Sequence, residues 1–223
     1  MQRNISSLIY KIDGVGINLN RFKPLSSEEE KDKIRSRLGY SSSDFIILNV
    51  AEINKNKNQI FLLKCVPRLL KEIPSLKILF AGKKNISEPE RFVRKNKLGE
   101  YVDFLGYRSD VEKLFNISDI VFSASRREGQ GLNLVEGMAC GLPIVASDIR
   151  GHRDVIKQFE NGILFPLNNK ELLISSILLL YKNPDFRKEL GKRNIVVARQ
   201  YGIEKIAEKM REIYNSLLLS GIE

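Results

Sequence analysis

Residues 120–148 read IVFSASRREGQGLNLVEGMACGLPIVASD. The stretch opens on a short apolar run, Ile120–Ser123, and passes through a charged, glycine-containing segment, Ser125–Gly131. An apolar helical pattern follows over Leu132–Cys140, and Gly141-Leu142-Pro143 stops it and opens a second apolar run, Pro143–Ala146. Short continuous apolar runs with little alternation mark parallel strands buried on both faces. Working outward, the same kind of run recurs at Phe45–Val50, Leu76–Ala81, Val102–Leu105 and Gly162–Phe165. Helical patterns lie between the runs at Asn58–Glu72, Glu88–Leu98 and Asp110–Asn116, with Pro89 early in its helix, where a missing amide is harmless. Strand–helix alternation of this kind predicts an α/β fold: a Rossmann-like, doubly wound parallel sheet of about six strands, with helices on both faces and right-handed crossovers.

The ends of the chain differ from this middle. From Lys170 the pattern is helical throughout: an apolar stripe through Leu172, Ile174, Ile177, Leu178 and Tyr181, a second helix opened by Pro184, and an amphipathic third through Ile203, Ile206, Met210, Ile213, Tyr214 and Leu217. Lys11–Pro24 reads as an extended linker and Glu28–Leu38 as a short charged helix, so residues 1–40 are expected to be a crossover segment from a further domain and residues 41–223 the main domain. The start, MQRNISSLIYKIDG, is too polar for a signal peptide, and the run Leu172–Tyr181, broken by Ser175 and Ser176, is too short to span a bilayer. Cys65 and Cys140 sit in apolar helical patterns without metal-ligand spacing, which predicts buried free thiols in a reducing, cytoplasmic setting.

The 223 residues carry 37 Lys and Arg against 27 Asp and Glu, a net charge of +10. Such an excess attracts nucleic acid, an acidic membrane leaflet or phosphorylated small molecules. The basic residues are spread out and not interleaved with stacking aromatics, which argues against nucleic acid. A distributed cationic face suits the inner face of a membrane, at roughly 1 kcal/mol per Lys or Arg near anionic lipid, or else is simply a solvated basic surface.

An open parallel sheet binds its ligand beyond the carboxyl ends of the strands, where strand order reverses. For an order 3-2-1-4-5-6 that point faces the loop Glu52-Ile53-Asn54-Lys55-Asn56-Lys57-Asn58 and the loop Ser125–Gly131. Two lysines then stand opposite a helix N-terminus whose free amides, at Gly131, Leu132 and Asn133, suit a diphosphate. Glu136, on the second turn of that helix in an apolar stretch, is costly to desolvate unless ribose hydroxyls or neighbouring backbone amides bond it.

The stretch Ser125–Asp148 resembles the core motif of retaining glycosyltransferases of family 4, which have the two-domain GT-B fold. That motif has two glutamates separated by seven residues, a glycine pair after the first, and a Glu-x-Met-Ala-x-Gly-x-Pro helix end. Glu128, Gly129, Gly131, Glu136, Met138, Ala139, Gly141 and Pro143 match it in register. Gly14-Val15-Gly16-Ile17-Asn18 looks like the family's inter-domain crossover, so the resemblance covers the chain as one half of a GT-B fold, the C-terminal, donor-binding half. AEINKNKNQ and FLGYRSDVEKLFNISDIVFSAS look closest to capsule and exopolysaccharide enzymes of bacteria.

The resemblance implies a hexosyltransferase with no cofactor. Its donor substrate would be a nucleotide diphosphate sugar, a UDP-sugar favoured, and its acceptor a polysaccharide or lipid-linked sugar held by an N-terminal acceptor domain. Glu128 would contact donor sugar hydroxyls, Glu136 the ribose, and Lys57 the diphosphate; no metal is implied, and the chain has no Asp-x-Asp. The family's phosphate-clamping arginine falls at Glu52, which cannot clamp phosphate and is expected to turn aside, toward Lys55 or Arg126, leaving Lys55 to compensate. Arg126, Arg127 and Arg153 are candidate phosphate helpers. His152, the only histidine, is either a turn residue or a member of the donor pocket, and Asn161-Gly162 reads as a turn before the last strand. Two alternatives stand beside this reading. A nucleotide-sugar 2-epimerase would need more histidines; a non-catalytic nucleotide-sugar or membrane-surface module would explain Glu52.

Overall fold

A computed structural model of the protein describes residues 10, 12 and 14–219. Six strands, β1 (Phe45–Val50), β2 (Leu76–Ala81), β3 (Val102–Gly106), β4 (Ile120–Ser123), β5 (Ile144–Ser147) and β6 (Gly162–Phe165), form one sheet in the order β3-β2-β1-β4-β5-β6. Every pairing is parallel. Strand order therefore reverses between β1 and β4, the order under which the two loops were expected to face each other.

Successive side chains of a strand face opposite sides of a sheet, and in β1 both sides are core. Phe45 and Ile47 pack with short helices α2 (Ile60–Leu63) and α3 (Val66–Leu69), with α4 (Glu88–Lys95) and with α8 (Lys170–Lys182). Ile46 and Leu48 pack on the other side with α5 (Val111–Ile117), α6 (Leu132–Ala139) and the end of α9 (Pro184–Ala198). This second core also takes in Ile17 and Phe22, so the entry segment lies on the domain. Ile17 pairs there with the backbone that follows a 3-10 turn at Arg199–Tyr201: its amide donates to Tyr201 O at 2.8 Å and its carbonyl accepts from Ile203 N at 2.9 Å.

Helix α1 (Glu28–Arg37) is capped by Ser27, and its Arg35 reaches under the sheet. The guanidinium, 3% exposed, donates to Ile117 O, Ser42 O and Asp44 O and pairs with Asp119 at 2.9 Å. Asp119 also accepts from the Ile46 amide at 2.9 Å, so one buried ion pair ties α1, β1 and β4 together at the amino ends of the strands.

Two expectations change. The helix expected over Asn58–Glu72 is split into α2 and α3 at Lys64-Cys65. Pro67 has no amide to bond Leu63 O, and Cys65 bonds Leu62 O, one residue short of an α-helical partner, at 2.8 Å. The final helix, α10 (Ile203–Leu219), forms, but of its apolar stripe only Ile206 is buried, while Ile203 and Tyr214 are exposed. Both cysteines are free and buried, and burial pushes their thiols up, Cys65 to about 11 and Cys140 to about 12. No helix among the described residues is long and apolar enough to cross a membrane. The polar start read against a signal peptide falls mostly outside the described residues.

Candidate functional site

The carboxyl ends of β1 and β4 carry the two loops that meet at the switch point. They are stitched by backbone and amide contacts: Arg126 N donates to Asn56 O at 2.8 Å, Asn56 Nδ2 to Arg127 O at 2.9 Å, and Asn58 Nδ2 to Ala124 O at 3.3 Å. Asn58 takes a left-handed turn (φ 55°), which a short amide side chain tolerates. Asn54 Oδ1 accepts from the Lys57 amide at 2.8 Å and shapes the approach to that lysine.

Across this stitched junction the Lys57 ammonium pairs with the Glu128 carboxylate, whose side chain is 13% exposed. The second bond to the same Glu128 oxygen comes from Ser125 Oγ at 2.7 Å. Helix α6 begins three residues on, with Gly131 in a left-handed conformation before it (φ 65°). The first-turn amides of Leu132 and Asn133 have no partner within the helix, as at any helix start. The Asn133 side chain is already committed, since its Nδ2 donates to Val50 O at 2.9 Å and fastens α6 to β1. A ligand contact there is left to the backbone. Leu132 is half-buried against the core.

Glu136 is half-buried on the second turn of α6, and its carboxylate accepts no hydrogen bond among the described residues. Burial raises its pKa to about 7, opposed only by Arg21, which is itself held by Glu112 and Ser109 O. Of the two partners open to Glu136 in the sequence, neighbouring backbone amides are thus not used.

Several other residues lie elsewhere than expected. Glu52 does turn aside, but toward neither Lys55 nor Arg126: its carboxylate accepts from Asn85 at 3.0 Å and Asn54 at 3.4 Å. Amide donors on its own loop and on the loop after β2 reach it without either cation leaving solvent. Lys55, Arg126 and Arg127, with Lys64, rim a cleft of about 590 Å³ floored by Ile60, Phe61 and Ile86, on the α2 and α4 side of the junction. Lys57, Glu128 and Gly131 do not line it, so this cleft lies beside the motif residues. Gly129 is exposed on the loop. Arg153 is paired with Asp148 at 2.5 Å, away from the amides. Asn161 closes a turn, accepting from Lys157 N at 2.7 Å and donating to Val155 O at 3.0 Å.

His152 is the main surprise. It lies on a one-turn helix, α7 (Arg150–Arg153), and is fully buried behind Glu128. Gly151 makes the approach feasible: a Cβ there would sit 2.4 Å from Glu128 O. The imidazole Nδ1 is 2.8 Å from Ser147 O, and Nε2 is 3.3 Å from Ser123 Oγ. Burial lowers its pKa, Lys57 lowers it further, and the Ser147 carbonyl and Glu128 oppose this. Ser123 and Ser147, hydroxyls ending otherwise apolar strands, were the available signal for this cluster. The buried pair Asn49 and Gln59, joined at 3.2 Å under the β1 loop, left a similar one.

This edge pairs a lysine with a carboxylate opposite free helix amides, beside a carboxylate kept short of partners. The model for "Glycosyl transferases group 1" matches residues 30–197. EpsD of Bacillus subtilis, named as a glycosyltransferase, is 35% identical over 210 residues, 93% of this chain and 55% of its own. The alpha-monoglucosyldiacylglycerol synthase of Acholeplasma laidlawii is 27% identical over 91% of this chain and 52% of its own. The chain thus spans about half the length of these curated relatives. Among solved structures, Anabaena Alr3699/HepE in complex with UDP and glucose superposes with a TM-score of 0.80 at 22% identity, over 90% of this chain and 55% of that one. That likeness is one of fold. With three quarters of its length inside the family model and a relative at 35% identity along nearly all of it, the chain belongs to the group 1 glycosyl transferases, GT-B enzymes of which it forms one half.

Proposed function

We propose that this chain is the donor-binding half of a retaining, metal-independent glycosyltransferase that moves a hexose from a nucleotide diphosphate sugar, a UDP-sugar favoured, to a polysaccharide or lipid-linked acceptor. The observation that carries the reading is the Lys57–Glu128 pair, spanning the β1 and β4 loops opposite the free amides at Leu132 and Asn133. In this reading the diphosphate sits at the α6 amides and takes Lys57 as its counter-charge. Preorganised donors of this kind act most strongly on charge that develops as the diphosphate departs. Glu128, released from Lys57, accepts hydroxyls of the sugar, and Glu136 accepts those of the ribose.

The donor preference is supported by the UDP held in the Anabaena protein of the same fold. A membrane-associated acceptor, at the cytoplasmic face, is supported by the net charge of +10 and by a relative whose name describes a glycosylated diacylglycerol. A capsular or exopolysaccharide role rests on the similarity to EpsD. The acceptor would be held by a second, N-terminal domain, so this chain binds donor and turns over little by itself. Bringing two reactants together supplies up to about 7–11 kcal/mol of a barrier, and half a cleft supplies none of it.

The test is calorimetric titration of UDP, GDP, ADP and dTDP, and of their glucose conjugates, into the chain. Binding of UDP and UDP-glucose, weakened in Glu136→Ala, is expected. Binding of none of them overturns the reading. A non-catalytic nucleotide-sugar module is the second reading, favoured by Glu52 at the place of a phosphate-binding arginine. Adding back an acceptor domain decides between the two, since only the first yields glycosyl transfer.

A further inference from the structure

A chain of contacts runs behind the candidate site that the proposed function does not use. Ser147 O lies 2.8 Å from His152 Nδ1, a separation between a ring nitrogen and a carbonyl that requires a proton on Nδ1. The opposite nitrogen, Nε2, is 3.3 Å from Ser123 Oγ. Ser123 Oγ is 3.2 Å from Ser125 Oγ, and Ser125 Oγ donates to Glu128 at 2.7 Å. Ser147 Oγ donates to Ser125 O at 2.6 Å and holds the second serine in place. Ser125 and His152 have no solvent exposure, and Ser123 has 2%.

Counting protons along this chain gives it a direction. With a neutral ring, the Ser125 hydroxyl donates to Glu128 and the Ser123 hydroxyl to Nε2. Two protons then serve three contacts, and the serine–serine contact holds none. With a proton on Nε2 as well, each member donates to the next, and all three bonds run toward the Glu128 carboxylate. Charge at His152 is therefore coupled to charge at Glu128 through two hydroxyls.

We propose that His152 is a positioning residue for Glu128, acting through Ser123 and Ser125. The ring and the two serines fix which way the Glu128 carboxylate faces, and a proton taken from solvent at Nε2 replaces the counter-charge of Lys57 when a diphosphate draws that lysine away. This role rests on the reading of Glu128 as the group that contacts the donor sugar; the coupling itself does not.

The surroundings leave few competing charges. The β1 loop presents Lys57 and the β4 loop Glu128. Strands β4 and β5 present only serine hydroxyls, and the start of α6 presents Gly131 and Leu134. On and beside its own helix, Arg150 and Asp154 are exposed, and Arg153 is paired with Asp148.

Because the chain has one histidine, its imidazole resonances need no assignment. The experiment is a nitrogen-15 NMR titration of the ring in the wild-type chain and in Glu128→Gln, Ser125→Ala and Asp148→Asn. At neutral pH the wild-type ring is expected as the Nδ1–H tautomer. Its titration midpoint should fall by roughly one pH unit in Glu128→Gln, a tenfold loss of proton affinity. Ser125→Ala should lower it in the same direction, and Asp148→Asn should leave it unchanged. An unmoved midpoint in Glu128→Gln, or an equal shift in Asp148→Asn, overturns the coupling.

Calorimetry supplies the second arm. Ser125→Ala is expected to bind UDP as the wild type does and UDP-glucose several-fold more weakly. Equal losses for both ligands overturn the positioning role. A wild type that binds neither, with the NMR coupling intact, overturns the donor-site reading instead.

Discussion

The two ends of the same sheet treat charge in opposite ways. At the amino ends of the strands, buried Arg35 donates to three carbonyls and pairs with Asp119, which in turn holds the Ile46 amide and Lys31. Arg35, Lys31 and Asp119 there all have protein partners, and the ion pairs join α1 to the start of β4. At the carboxyl ends Glu136 accepts no hydrogen bond among the described residues, Lys55, Arg126 and Arg127 rim an open cleft, and Lys57 and Glu128 have mainly each other. Burying an ionised group without partners costs free energy, so a fold keeps such groups only where something else completes them. One edge is closed by its charges; the other leaves several of its charges open to solvent or to a single partner.

The largest effect that would break this contrast is at the closed edge. Arg35→Ala takes one donor from Asp119 and the guanidinium from three carbonyls, and removing one member of a buried pair typically costs about 3–5 kcal/mol. Urea denaturation is the measurement, and a loss below about 1 kcal/mol would mean that this edge is not held by its ion pair.

Next comes Glu136. Burial raises its pKa from an ordinary 4.5 to about 7, so the folded chain binds this proton more tightly than the unfolded chain does. Its contribution to stability is full below about pH 4.5 and is lost as pH rises to about 7. Glu136→Gln should therefore gain on the wild type across that window, by about 1–3 kcal/mol given the partial exposure, while losing affinity for UDP. Stability curves of variant and wild type that run parallel between pH 4 and pH 8 would remove Glu136 from the unfinished edge.

Lys57→Ala should weaken UDP roughly tenfold, about 1.4 kcal/mol, and uridine hardly at all, because a charge-assisted bond to phosphate is the one lost. Equal losses for the two ligands would sink the phosphate assignment. The smallest effect is expected from Glu52→Arg. An anionic side chain facing a diphosphate would be repelled by about 4 kcal/mol at 4 Å and an effective dielectric of 20, and Glu52 avoids this by bonding Asn85 and Asn54. An arginine in its place should tighten UDP by a few-fold at low salt and less at high salt. Weaker binding would show that Glu52 itself holds the β1 loop in its working shape.

These particulars also explain what sequence made visible. The six strands were legible because each is a local apolar run, buried on both faces in β1, β4 and β5 and half-buried in β3 at the sheet edge. The start of α6 was legible for the same reason, since Gly131 and Pro143 bracket it. Less visible was whatever depends on a distant partner. Arg35 meets Ile117 across 82 positions, and no pattern around Arg35 announces it. Asn133 was a natural ligand contact until its side chain was found on Val50 O, 83 positions away. The break in the helix over residues 58–72 is a different failure, because Pro67 lay in plain view and its missing amide was enough to split the pattern.

Gly151, pressed backbone to backbone against Glu128, has a consequence for anyone who would move this motif to another protein. The recognisable signature ends at Asp148, yet the backbone of its first glutamate is packed against residue 151. Grafting residues 120–148 alone would carry the letters and leave their support behind. An alanine at position 151 would push the loop outward from beneath, with every residue of the signature still in place. The portable unit is longer than the readable one and reaches at least to Gly151.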